Sequence, residues 1–473
     1  MFFALLFTVT AFLFKNAFSI YFFSDDFFFL KISRINSINQ FLNFFSPFKD
    51  YFYRPLTTEA FYSFIHLLRE NIFLSHSLVF IVYFVGLYYL YRIVFLLSKN
   101  KILSYLTTGF YAINFIHVFQ LYFFGTFQEV AVFTFLAISF YYFLKEKSVV
   151  SLIFFIFACM SKEIATLFPI FLVLIGLINK KIFEKKRILL LYFFISVIFL
   201  LIYKIGISGV MTLDIYKIQL KPRLGINNLM WYSLWSLGFP NFMPDYFTSI
   251  FRKPIPEFWK VLKNNEIKIY FLIIGVYLSS LLLSVIVFLK NNKKKLLTII
   301  FHLVILILAF VLFISPTLFI IHKWMVRLTL SLIFVIFIQA YLITDLIKSG
   351  KQMRLLGNIL IIIYVLSNVL GIFVHESLST FLLESHYTIN AKKYFEKNQQ
   401  EILKRSSIYF IDSTNIEYNP WGGSKKLKVT LSDQSFIDLY FPGANIKAIY
   451  SFENNIKPKN SFVVKSIDIL MGQ

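Results

Sequence analysis

An all-α polytopic membrane protein with about eleven transmembrane helices, followed by a small C-terminal α/β domain, is the fold that this 473-residue chain predicts. Three observations carry that expectation. Hydrophobic residues make up 58% of the chain and charged residues 15%, with 62 Phe and 28 Tyr, more apolar surface than soluble cores can hide. Apolar runs recur along residues 1–373, and a membrane crossing needs about 20 such residues. Beyond residue 373 the composition turns polar, so the expected domains are 1–373 and 374–473. An ordinary soluble enzyme, a disordered chain and a disulfide-rich scaffold are excluded, and the single Cys159 leaves no intrachain disulfide.

The expected crossings lie at 2–20, 72–97, 102–120, 128–144, 148–160, 164–178, 188–206, 269–289, 296–315, 326–344 and 355–373. The first lacks a basic leader and a small-residue cleavage site, so it reads as a retained helix. Ser161-Lys162-Glu163 interrupts the apolar stretch 148–178, which is therefore read as a hairpin with Lys162 and Glu163 at its tip.

Lys and Arg outnumber Asp and Glu by 47 to 24, a net +23. A nucleic-acid binder would carry that excess on a polar fold. Here it falls between the apolar runs, at Lys99 and Lys101, Lys145 and Lys147, the cluster 180–187, Lys290 to Lys295, and Lys348 to Arg354. Basic connections face the cytoplasm. The expected protein is thus integral to the plasma membrane with a cytoplasmic N-terminus, surrounded by membrane lipids and with no nucleic-acid partner. Three long segments, 21–71, 207–268 and the tail 374–473, then share the outer side. In the tail, 385–405 reads as a helix, and 407–411 and 436–441 read as strands, with turns at Gly422-Gly423 and Pro442-Gly443.

Charges near helix ends at a membrane surface need a partner or a task. Asp25 and Asp26 stand between aromatic residues directly after the first apolar run. Adjacent side chains diverge, so one can face a cleft while the other caps a helix or binds a metal, and burial with a like charge raises a carboxyl pKa toward that of a general base. A solvated turn is the competing reading. Arg54, followed by Pro55, offers a planar fork for phosphate or carboxylate. Glu129 opens the fourth run at the same depth, and Lys162 is either an ion-pair partner of Glu163 or a lipid-phosphate contact. In His322-Lys323-Trp324-Met325-Val326-Arg327, a helix would put Lys323 and Arg327 on one face, where an anion relieves their repulsion. His302 reads as a packing residue inside the ninth run, and Trp231 and Trp235 as an interfacial amphipathic helix.

This order of features resembles the GT-C superfamily of integral-membrane glycosyltransferases, which includes protein O-mannosyltransferases and the aminoarabinose transferases of lipid A. The likeness rests on Asp25-Asp26 after the first run, Arg54-Pro55-Leu56, Glu129, and Ser161-Lys162-Glu163 with Pro169, and spans roughly residues 1–345. It implies a GT-C-like membrane domain that takes a sugar from a polyprenyl- or dolichyl-phosphate carrier and passes it, with inversion, to a glycan, lipid or protein acceptor. Asp25 or Asp26 would be the base, with Glu129 a further acid of the site, and Arg54, Lys162, His322, Lys323 and Arg327 would hold the lipid phosphate. Some members use a divalent metal at the paired acids and others none; no other cofactor is implied. Readings from other classes are a transporter or a lipid or polysaccharide flippase, whose charges line a mid-membrane cavity, an O-antigen ligase or polymerase, and a non-catalytic anchor for the tail.

Overall fold

The computed structural model describes all residues except 50, 208–216, 248, 292, 413–422, 454–455 and 473, together with the side chains of 206–207. Each of the eleven apolar runs is largely helical. Six helical stretches are long and apolar enough to cross a membrane, those that begin at Ile72, Phe124, Lys180, Asn265, Lys293 and Lys351. A seventh is counted if Lys101–Ala112 and Phe115–Leu121, bent by 41°, form one crossing. The expected count of about eleven is therefore not reached by length. Phe2–Leu13 and Ser148–Ser161 are shorter apolar helices, and at 1.5 Å per residue 12 residues cover about 18 Å of a hydrocarbon layer about 30 Å thick. The helix expected from 326 begins only at Leu332, because Met325–Leu328 is a 3-10 turn.

The 148–178 stretch breaks where the sequence places the break. Lys162 is extended (φ −163°, ψ 141°) and ends Ser148–Ser161; Glu163–Leu167 is a 3-10 turn that leads into Phe168–Ile178, with Pro169 in its first turn. Lys185 Nζ donates to the Phe143 carbonyl at 2.9 Å and pairs with Glu146 at 3.5 Å. The basic connections 145–147 and 180–187 therefore meet at one end of the bundle, as a hairpin requires.

Two devices lock the centre of the bundle. Gly86, in Ile72–Ser98, lets Phe127–Leu144 approach so closely that a Cβ there would lie 2.5 Å from the Phe133 ring. Ser139 and Ser151 exchange hydrogen bonds with each other's carbonyls (2.8 and 2.6 Å), and Tyr192 joins both hydroxyls. Small residues and shared hydroxyls are what hold helices together where no hydrophobic force separates protein from lipid. Trp231 and Trp235 do lie on a helix, Pro222–Ser236, but both are buried against Phe247 and Tyr232 rather than interfacial. His302 is exposed on its helix instead of packed inside.

The last long helix, Lys351–Leu378, runs into the tail. The tail is α/β: helix Phe381–Lys397, then β1 (Ser407–Ile411), β2 (Lys447–Tyr450) and β3 (Ser461–Lys465), all parallel in the order β2-β1-β3. Strand 407–411 matches expectation; the helix expected over 385–405 starts earlier, at Phe381, ends at Lys397, and is followed by the short helix Gln399–Ile402. Residues 436–441 do not form a strand: Ser435–Tyr440 is a helix. Phe436, Ile437 and Phe441 are the buried positions there, a helical spacing rather than an alternation.

Overpacking a tight helix contact costs about 1–3 kcal/mol. Gly86→Ala should therefore lower the melting temperature of the purified protein in detergent, whereas Gly109→Ala, at a glycine with open space around it, should leave it unchanged.

Candidate functional site

The two adjacent aspartates have separate fates. Both begin the helix Asp25–Ile32, which follows Ser24. Asp26 is fully buried; its Oδ1 accepts from the Tyr62 hydroxyl at 2.6 Å and its Oδ2 from the Phe23 N–H at 3.1 Å, with the Gly125 backbone N–H a further donor. It ties three chain segments together. Burial, outweighing these hydrogen bonds, pushes its pKa up to about 8. Asp25 instead is reached by solvent. Protein nonetheless surrounds it closely enough that desolvation raises its pKa, with Arg54 opposing and Glu384 adding to the rise. A group both wetted and walled lies in a cleft.

Four charges at helix ends converge beside it as crossed ion pairs. Arg54 presents Nε and Nη2 to Glu163 at 3.0 and 2.8 Å, a bidentate pair, and its Nη1 to the Gln128 side-chain oxygen. Lys162 Nζ pairs with Glu129. Thr57 Oγ1 donates to the Ser161 carbonyl at 3.0 Å, which fixes the Arg54 segment against the hairpin tip. The Lys162–Glu163 pair expected from adjacency is thus replaced by Lys162–Glu129 and Arg54–Glu163. The reason is geometric, since extended backbone at Lys162 sends neighbouring side chains apart. Arg54 and Lys162, for which the resemblance implies a lipid-phosphate contact, each already hold a carboxylate. Glu163 belongs to the site although its role was not legible; its charge at the hairpin tip was the available signal. Of its side chain 43% is exposed, against 5% for Glu129, so Glu163 borders the cleft and Glu129 is sealed, while the two cations are equally accessible. Glu59, also missed, is buried with Lys49 and anchors the same loop.

The basic segment is arranged differently from expectation. His322 to Trp324 is not helical, so Lys323 and Arg327 do not share a helix face. Arg327 turns back on its own segment, donating through Nη1 to the His322 carbonyl at 3.0 Å and meeting His322 Nδ1 through Nη2 at 3.3 Å. Burial and the charges of Arg327 and Lys323 hold His322 down at about 4, which leaves it neutral. The charge of Lys323 is opposed by Asp245. Phe123 connects this segment to the acidic helix: its ring stacks on Phe23 at 4.7 Å and meets Trp324 at 6.4 Å.

Between the helices an apolar cavity of about 150 Å³ extends toward the basic end, lined by Phe133, Phe140, Phe168, Phe171, Phe334 and Leu97 among others. Phe133 is one helical turn below Glu129, and Phe168 follows Glu163 in the next helix. Such a slot suits hydrocarbon and nothing charged.

A divalent ion at Asp25 and Asp26 fits these residues poorly. Among the described residues no three His, Cys, Asp or Glu side chains are grouped to hold one. Both Asp26 oxygens face N–H or O–H donors, and the guanidinium of Arg54 acts on Asp25.

Asp26 yields a pH test of the fold. Its folded carboxyl titrates at about 8, above an unfolded value near 3.9, so the fold prefers the neutral form. Its contribution to stability is full below about pH 4 and declines as the pH rises to about 8, because over that window only the unfolded chain releases the proton. Relative to wild type, Asp26→Asn should gain stability steadily across that range, read as the difference between their denaturation midpoints. Neither a family model nor a curated protein sequence matches this chain.

Proposed function

We propose that this protein is an integral-membrane glycosyltransferase. It moves a sugar from a polyprenyl- or dolichyl-phosphate carrier to the hydroxyl of a glycan, lipid or protein acceptor, with inversion. One observation carries the reading: a solvent-facing carboxylate, Asp25, stands beside Arg54 in a charge cluster, and an apolar slot begins at Phe133, one helical turn from Glu129 of that cluster.

Each part then has a task. The slot takes the first units of the carrier's hydrocarbon chain. Asp25 accepts the proton of the acceptor hydroxyl as its oxygen attacks the anomeric carbon. The bond from that carbon to the phosphate oxygen breaks, and negative charge grows on the departing lipid phosphate. Arg54 and Lys162, kept in place by Glu163 and Glu129, are fixed cations for that charge. Lys323 and Arg327 add positive potential from the far side of Phe123, and neutral His322 offers a hydrogen-bond donor. Asp26, fully engaged, positions Asp25 rather than reacting.

The reading places the site on the outer face of the plasma membrane and the N-terminus in the cytoplasm. In its support, the basic connections 145–147 and 180–187 meet at the end of the 148–178 hairpin opposite Lys162 and Glu163. Cys159 is buried, so an otherwise native chain suits single-cysteine labelling. Thiol reagent confined to the outside should modify Lys392→Cys and leave Lys147→Cys untouched; the reverse pattern contradicts this orientation.

The chemical test is transfer from radiolabelled polyprenyl-phosphate sugar by purified protein. Asp25→Asn should lower the rate about 10²- to 10⁴-fold, while the wild-type rate should fall with acid, at a pH above the ordinary Asp value near 3.9, as Asp25 takes up its proton. Full transfer by Asp25→Asn would remove the base from this scheme. Movement of the intact carrier across the membrane without bond cleavage would make the protein a flippase.

A further inference from the structure

The chemistry proposed above makes no demand on the C-terminal domain, yet that domain grips the acidic helix on both sides of Asp25. Before it, the Tyr21 N–H donates to Ser385 Oγ at 2.8 Å and the Ser24 N–H to the Thr430 carbonyl at 2.6 Å. After it, Phe27 meets Phe436 edge to face at 4.9 Å, Lys31 pairs with Asp438 at 2.5 Å, and Arg34 donates to the Leu439 carbonyl at 3.3 Å. Glu384, buried and paired with Lys426 at 2.6 Å, is the domain's charge that acts on Asp25.

Ser24 gives these contacts a purpose. Its backbone sits at φ +52°, ψ −130°, a strained region that an L-residue occupies only when its surroundings impose it. The imposing contact comes from Thr430, more than 400 residues away in sequence. Ser24 directly precedes Asp25, so its dihedrals set the direction in which the helix, and with it the carboxylate, leaves the turn.

We propose that the C-terminal domain is a positioning part of the site: docked on residues 21–34, it holds the strained turn at Ser24 and so aims Asp25 into the cleft beside Arg54. The domain is then a component of the transferase, and the site is incomplete while it is undocked. The word transferase rests on the function proposed above; the docking does not.

The experiment uses the full chain in lipid nanodiscs, with Lys31→Asp, Asp438→Lys, their combination and Ser385→Ala. Two quantities are read: amide hydrogen exchange across residues 21–34, and kcat and KM for the labelled carrier. Each single charge reversal should speed exchange and lower kcat by up to about fivefold, the range of a surface pair, with KM for the carrier unchanged. The charge swap should restore both, and Ser385→Ala should act like the single reversals. Unchanged exchange in all single variants overturns the proposal, as does faster exchange with unchanged kcat in an active enzyme. If the wild type transfers no sugar, the transferase reading fails, and exchange alone decides: restored protection in the swap upholds the positioning of the acidic helix, and its absence overturns it.

Discussion

A charge at the end of an apolar helix, close to lipid, must be neutralised from within the protein, because neither water nor a high dielectric does it there. The crossed pairs Arg54–Glu163 and Lys162–Glu129 meet that demand. They join the first long loop, the start of Phe127–Leu144 and the tip of the 148–178 hairpin. Those segments border the cleft, so the arrangement of the whole acidic end follows from how four charges are shared. The same sharing leaves two cations pre-oriented without leaving them bare.

Within that frame the paired aspartates divide labour. A buried carboxyl that accepts every donor around it is a structural knot, and Asp26 has that character. Asp25, one residue on the other side of the turn, keeps access to water among protein walls. Two adjacent, identical side chains acquire different chemistry because helix geometry points one inward to Tyr62 and the other outward to Arg54. The tail reinforces the division from behind, since its contacts fall on backbone and flanking residues and leave the Asp25 carboxylate open.

Much of this was legible in the order of residues. The apolar runs predict the helices, Lys162 marks the hairpin break, and the polar stretch 385–405 predicts most of the tail's first helix, since each signal is local. Where neighbours in space decide, local reading failed. Phe436 to Phe441 looked like a strand, but its apolar side chains close one face of a helix against Phe27 and Phe395. Trp231 and Trp235 looked interfacial, but packed helices cover them. β2 and β3 were not among the expected strands, and their partnership with β1 joins residues up to 54 positions apart.

The sequence by itself determined the membrane class, the helical runs, the basic bias of one set of connections and the place of the acidic motif. Each follows from composition or from spacing within a few residues. Tertiary structure alone decided which carboxylate each cation holds, which aspartate faces the cleft, and that the tail docks on the acidic helix. Pairing of charges is chosen by side-chain direction and burial among segments tens to hundreds of residues apart, and spacing along the chain carries no record of that choice.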